Sequence, residues 1–160
     1  MTTTKLKLAD VLNLEAEING FTNPQTNEKV IHGLLNEKLS LVAKYWLNDL
    51  AKKANEIKVD IDKLRDELIK KHGEDDGTGN IGIVYSVDAF NEDGTPMTQL
   101  NEAGEPVQLK RVNPKFIEFQ NEYETLLQEE REIEHHEFTL AQFESVETAD
   151  NIKVFFTLIK

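Results

Sequence analysis

The residues of this 160-residue chain best equipped for chemistry are a histidine pair, a short acidic loop, a basic trio and three serines. His135 and His136 lie between Glu134 and Glu137, the one local grouping with metal-ligand character. Adjacent side chains on a strand point to opposite faces, so the two imidazoles do not readily meet on one ion. The zinc-protease spacing of two histidines on one helical face is absent. An edge-strand pair is the expectation, and no metal is assigned. Asp75, Asp76 and Asn80 start like a calcium loop, but the later bidentate glutamate is missing, so an acidic solvated turn is expected. Ser40, Ser86 and Ser145 lack the G-x-S-x-G elbow, and Gly77-Thr78-Gly79 does not sit between a strand and a helix start as a phosphate loop must. With no cysteine, thiolate chemistry and disulfides are excluded. No cofactor is implied, and the chain reads as a non-enzyme. Lys110 and Arg111, with Lys115 just inside a helix start and Tyr85 nearby, form the one grouping suited to an anionic ligand.

Charge narrows the partners. Eighteen basic residues against thirty acidic ones give a net charge of -12, and only Arg65, Arg111 and Arg131 are arginines. Direct nucleic-acid binding is not expected, because a phosphate footprint needs clustered cations. The acidity is read as a solvated surface in preference to DNA mimicry. No run approaches the roughly 20 apolar residues of a membrane helix, so a membrane role is not expected and a cytoplasmic location is.

The elements that must position these groups follow from apolar spacing. Leu35, Leu39, Val42, Trp46, Leu50, Ala54, Ile57, Ile61, Leu64 and Leu68 recur every three or four residues, a single helical stripe. Leu39, Val42, Trp46, Leu50, Ile57, Ile61, Leu64 and Leu68 are expected to form a seam, either within the chain or between copies. Trp46 is its anchor rather than a ligand-stacking residue. The three steps of four around Trp46, Leu50 and Ala54 amount to a stutter. The predicted helix runs over 28–72, with Gly33 weakening its first turns. Lys70-Lys71-His72-Gly73 closes it with favourable charges and a glycine stop.

Before the helix, residues 1–27 predict a short strand at 5–8, a helix over 9–19 ended by Gly20, and a loop. After it, residues 73–112 predict a small antiparallel meander with strands at 81–90, 97–100 and 107–112. Two N-E-x-G-x-P turns separate them, Asn91–Pro96 and Asn101–Pro106 in sequence. Asn113-Pro114 opens a second helix over 113–131 with a cap, a first-turn proline and Val112 placed to staple onto Ile117. Phe116, Phe119, Tyr123 and Leu126 mark its apolar stripe. Residues 132–138 are expected to be extended and to pair with 5–8. The end, 152–160, suits either a helix capped by Thr148 or a strand, and strand is preferred for its β-branched and aromatic content. The fold class is therefore α+β in a single domain over 1–160: a long antiparallel helical hairpin, a β-meander at its tip and short base elements.

The order of these segments resembles a family of small phage-encoded proteins of unknown function. The likeness rests on Lys5-Leu6-Lys7-Leu8-Ala9-Asp10-Val11-Leu12-Asn13 and the leucine- and lysine-rich stretch 33–44. It continues through the Leu-Ile-Lys-Lys-His-Gly-Glu helix end at 68–74, the turn at 93–96, the helix at 116–130 and the acidic strand at 130–137. The meander is longer than the linker usual in such proteins. The resemblance implies a phage origin and an accessory role, and it transfers no site residues. The expected function is an oligomeric binding module that sequesters a host factor in the host cytoplasm, either a defence protein or a small anionic signal. A virion structural or assembly accessory is the alternative.

Overall fold

The computed structural model describes residues 1–147 and 151–159. In chain order it comprises β1 (Thr2–Lys7), α1 (Leu8–Asn19), β2 (Phe21–Thr22), β3 (Lys29–Ile31), α2 (Leu41–His72), β4 (Glu74–Asp75), β5 (Ile81–Gly82), β6 (Ser86–Asp88), β7 (Thr98–Leu100), β8 (Pro106–Gln108), β9 (Lys110–Val112), α3 (Pro114–Gln128) and β10 (Glu130–His135). The strands pair as two-stranded antiparallel sheets, β1 with β10, β2 with β3, β4 with β5, β6 with β9 and β7 with β8. The class is mixed α and β. The chain divides into two compact units, Met1–Lys63 with Leu126–Lys160, and Leu64–Thr125.

The first unit contains the whole hydrophobic core cluster. β1 and β10 pair antiparallel, with Thr2 opposite His135 and Lys7 opposite Glu130. The strand alternates, and Leu6 and Ile133 turn inward. α1 follows directly and ends at Gly20, whose φ of 89° suits glycine and whose N–H returns to the Ala16 carbonyl at 2.8 Å. Val11, Leu14 and Ile18 form its buried face.

The long helix starts at Leu41, later than expected. Ser40 is its cap: the Ala43 N–H donates to Ser40 Oγ at 3.2 Å. Residues 28–40 are instead taken up by β3, by Gly33 and by a 3-10 turn at Leu34–Asn36. Gly33 is outside the helix altogether. Its φ is 85°, and a Cβ there would lie 2.4 Å from the Gly20 nitrogen, so the two glycines let the chain cross itself at backbone contact. Leu34 is then fully buried, with Leu35 and Leu39 packed against the core from this non-helical stretch.

The seam residues differ in burial within the single chain. In the first unit, α2 buries Ala43, Leu47, Leu50, Ala51, Ala54 and Ile61, whereas Val42 is exposed. Alanines share the buried stripe with Leu47, Leu50 and Ile61, while Val42 faces water. Trp46 and Ile57 are half-buried against the core, and Trp46 stacks on His136 with ring centroids 4.6 Å apart. Leu39, Trp46, Leu50, Ala54 and Ile57 thus pack within the one chain, and Val42 does not.

The C-terminal segment is not the strand preferred above. Phe155–Leu158 is a 3-10 helix, with only an isolated parallel bridge between Phe138 and Ile159. Phe155 and Leu158, three residues apart, both point into the core. Phe138, Phe143 and Phe155 meet edge to face at 4.9–5.8 Å. The reason lies on α1: the buried Glu17 carboxylate accepts the N–H groups of Lys153, Val154 and Phe155 at 2.8, 3.0 and 2.8 Å. Lys153 and Val154 lead into the 3-10 helix and Phe155 opens it, so the carboxylate anchors the approach to the segment and its first free amide. Thr148, the alternative cap, lies outside the described residues.

Candidate functional site

The second unit, Leu64–Thr125, is built from the end of α2, most of α3 and the strands between them. Ion pairs tie the helices. His72 is buried, its Nε2 2.9 Å from Glu122 and its Nδ1 3.5 Å from Glu118. Lys71 Nζ lies 2.7 Å from the same Glu122 oxygen, and Lys115 pairs with Glu74. The partners descend from 122 to 115 as the first residue rises from 71 to 74, an antiparallel order. The hydrogen bond from Lys71, with His72 adding to it, holds the Glu122 carboxyl below its ordinary range, and Lys115 does the same for Glu74.

The strands nest instead of following one another as a meander. β6 and β9 form an outer ribbon, with Ser86 opposite Val112, and β7 and β8 form a separate inner hairpin. Their junction is closed by a ring of three backbone hydrogen bonds. Ala89 donates to Leu109, Leu109 to Met97 and Met97 to Ala89, at 2.9, 2.7 and 2.9 Å. Gln108 Nε2 adds a bond to the Ala89 carbonyl at 2.7 Å. The two N-E-x-G-x-P turns are built alike: Gly94 and Gly104 both have positive φ and both bond back to their asparagine carbonyls. Asn113 joins this frame to α3. Its Oδ1 accepts the Lys115 N–H at 3.1 Å and its Nδ2 donates to the Val84 carbonyl at 2.9 Å. α3 ends at Gln128, short of the 131 expected, because Glu130 is already paired in β10. Val112 and Ile117, expected to staple, are both exposed.

The basic residues do not converge. Lys110 sits across the ribbon from Asp88, 3.9 Å away, Arg111 lies opposite Val87, and Lys115 is engaged by Glu74. The Tyr85 ring packs edge to face on Phe116 at 5.1 Å. A cleft of about 340 Å³ does form here, but Glu74, Asp75 and Asp76 line it with His72, Asn113 and Lys115, and Lys110, Arg111 and Tyr85 do not. Its electrostatics favour cations over anions. The carboxylates are also committed to their own loop: Asp75 accepts the Gly77 and Gly79 N–H groups, and Asp76 accepts Thr78. That bonding from Thr78 keeps the Asp76 carboxyl below its ordinary range.

The histidine pair serves the first unit's packing. His135 is buried, with Nε2 2.9 Å from Thr4 Oγ1 and Nδ1 2.8 Å from the His136 carbonyl. A carbonyl only accepts, so Nδ1 carries the proton and Nε2 accepts from the threonine. His136 lies against Trp46. Among the described residues, no group of three or more His, Asp or Glu side chains is placed to hold a metal, and no helix is long and apolar enough to cross a membrane.

Burial is what sets the second unit apart. Among the described residues it buries only His72, Ala89 and Asn113. Large apolar side chains stand in water along it, including Val84, Tyr85, Phe90 and Leu100, the last at 71% exposure. Sequence reasoning placed Ile81, Ile83, Tyr85 and Val87 on one strand face and Val84 on the other, but alternation does not say whether any layer covers either face. From the former seam, Leu64 is exposed and Leu68 half-buried. Comparison with protein families, curated proteins and solved structures gives no match for this chain.

Proposed function

We infer that the protein is a non-enzymatic phage accessory protein that works by binding, as an oligomeric module that sequesters a host protein in the host cytoplasm. The phage assignment rests on the sequence resemblance alone. One observation carries the binding reading: the second unit holds a hydrogen-bonded strand frame in shape while leaving its apolar side chains uncovered. A fold segment that holds its shape while leaving so many large apolar side chains exposed is read here as an interaction surface. In this reading α2 and α3 form an antiparallel hairpin with the strand-rich insert at its tip, which the order of the Lys71, His72 and Lys115 ion pairs supports.

The chemistry of the insert favours one kind of partner. Residues 74–113 carry Glu74, Asp75, Asp76, Asp88, Glu92, Asp93, Glu102 and Glu105 against only Lys110 and Arg111. With the two basic residues dispersed, a small anion has no cradle. A defence protein with a basic, partly apolar face fits better, since complementary charge steers association and apolar contact holds it.

The test is native mass spectrometry of the protein purified from host cells. A host protein retained in fixed stoichiometry, and lost in Phe90→Asp and Leu100→Asp variants of unchanged circular dichroism, is the expected result. Absence of any stoichiometric host protein overturns the reading.

A further inference from the structure

We propose that the opening turns of α2, presented by Leu41, Lys44, Tyr45 and Lys52, are a docking surface whose occupant is the acidic insert of a second copy of this chain. The inference rests on the reading of the insert as a binding surface, and it gives that surface a partner of known composition.

Helix periodicity sets the face. Leu41, Lys44, Tyr45, Asn48 and Lys52 are spaced by three, one, three and four residues, so they follow one line along α2. The opposite line, Ala43, Leu47, Leu50 and Ala54, is buried in the first unit, which turns the former line to solvent. Leu41 is 86% exposed and Tyr45 66%, with Val42 exposed at their flank. The Tyr45 ring is braced edge to face on Trp46 at 5.0 Å. Large apolar side chains grouped on one outward helical face suit a covering partner.

Charge names the occupant. The chain carries a net charge of -12, yet residues 38–53 are basic, with Asp49 their one acid. Asp49 is taken by Lys53 at 2.9 Å. Among the described residues, the side chains of Lys38, Lys44 and Lys52 have no ion pair or hydrogen bond. The insert is the converse: residues 74–113 hold eight acids against Lys110 and Arg111, and leave Val84, Tyr85, Phe90 and Leu100 uncovered. Opposite charge and apolar contact therefore match between the two surfaces. Like surfaces would set lysine against lysine or carboxylate against carboxylate. Copies thus join unlike surface to unlike surface, a heterologous contact. A second copy and a host protein then compete for one insert.

Sedimentation equilibrium of the full chain tests this by complementation. The wild type is expected to exceed the monomer mass at tens of micromolar. Leu41→Asp sets a carboxylate against the acidic insert, and Leu100→Lys sets an ammonium against the α2 lysines. Each alone is expected to weaken association by on the order of 30-fold, as loss of an interface anchor does. Lys44→Glu with Lys52→Glu is expected to act as Leu41→Asp does. Mixed in equal amounts, Leu41→Asp and Leu100→Lys are expected to pair one to one, because the first keeps its insert and the second its α2 face. Where either loses circular dichroism, Tyr45→Asp or Phe90→Lys takes its place in the mixture. A wild type that stays monomeric overturns the proposal, as does a mixture that stays monomeric or a variant that assembles like the wild type. A host protein kept by the wild type but lost from Leu41→Asp also overturns it, by making the α2 face the host site. Self-association with no host protein retained counts against the host-binding reading alone.

Discussion

Glu17 offers the sharpest test of how the first unit holds together. Its carboxylate is 4% exposed and accepts three backbone N–H groups from Lys153, Val154 and Phe155. A hydrogen bond to a charged group contributes about 1.5–3 kcal/mol. Two of the donors are only partly buried and can be rehydrated when the side chain is removed, so the full sum is not lost. The Phe155 amide is buried and would be left unpaired, costing a further 1–3 kcal/mol or so. Glu17→Ala is therefore expected to destabilise by roughly 3–5 kcal/mol. Glu17→Gln keeps one acceptor oxygen but turns an NH₂ toward the remaining donor, for roughly 1–3 kcal/mol. Urea unfolding followed by circular dichroism reads the difference. With a slope of about 2 kcal/mol per molar, the alanine midpoint falls by about 2 M and the glutamine midpoint by about 1 M. Losses under about 1 kcal/mol for both variants would refute the account, and so would a glutamine variant weaker than alanine.

Two further outcomes follow from the same physics. Gly33→Ala must unseat the Asn19–Gly20 backbone as well as strain a positive φ, whereas Gly94→Ala meets nothing within 4 Å and bears the strain alone. Thermal unfolding is expected to show a loss of about 1–2 kcal/mol at Gly94 and a clearly larger one at Gly33, and equal losses would contradict the crossing. Glu122 and Glu74 have carboxyl groups held below their ordinary range by Lys71 and Lys115, so their contribution is present above the unfolded pKa and is lost as pH falls through the folded one. The ordinary value is about 4.3, so hydrogen exchange of α3 amides should be steady from pH 7 to 5 on correction for intrinsic rates. Added opening should appear only below about pH 4, and opening already complete by pH 5 would show that these pairs do not hold the helices.

What the sequence makes legible is local. The Gly20 stop, the end of α2 at Lys70–Gly73, the Asn113-Pro114 start and the twin turns depend on neighbouring residues and are found close to where their chemistry predicts. The extended partner of β1 was also legible, through its composition. Ser40 was a readable cap obscured by the continuous leucine rhythm from Leu35, which hid that Gly33 and Leu34 belong to a chain crossing. Apolar counting favours large residues, so Val42 was counted in the stripe, whereas in the single chain Ala43, Ala51 and Ala54 are buried and Val42 is exposed. Nesting in place of a meander was not readable, since both topologies use the same strands and turns and differ only in which pairs close. Glu17 was beyond reach for a related reason: its partners lie more than 130 residues away. For the candidate site, Lys110, Arg111 and Lys115 were visible as cations, but the carboxylates opposite two of them come from Asp88 and Glu74, on other strands.

The contrast between the two units bears directly on function. The first holds the buried apolar cluster: its core is aromatic and braced by a buried carboxylate, and its part of the α2 stripe is largely packed within the chain. The second has 62 residues but only Ala89 as a buried apolar residue, so hydrophobic burial cannot be what holds its strands. Two-stranded ribbons are marginal alone in water. Their order here depends on a closed ring of three backbone hydrogen bonds, on Asn113 and on surface ion pairs that each contribute little. Selection for a stable isolated monomer would favour filling that face or trimming it. Retaining a shaped, apolar, acid-rich frame is costly for a lone chain and useful for one that completes its core in a complex.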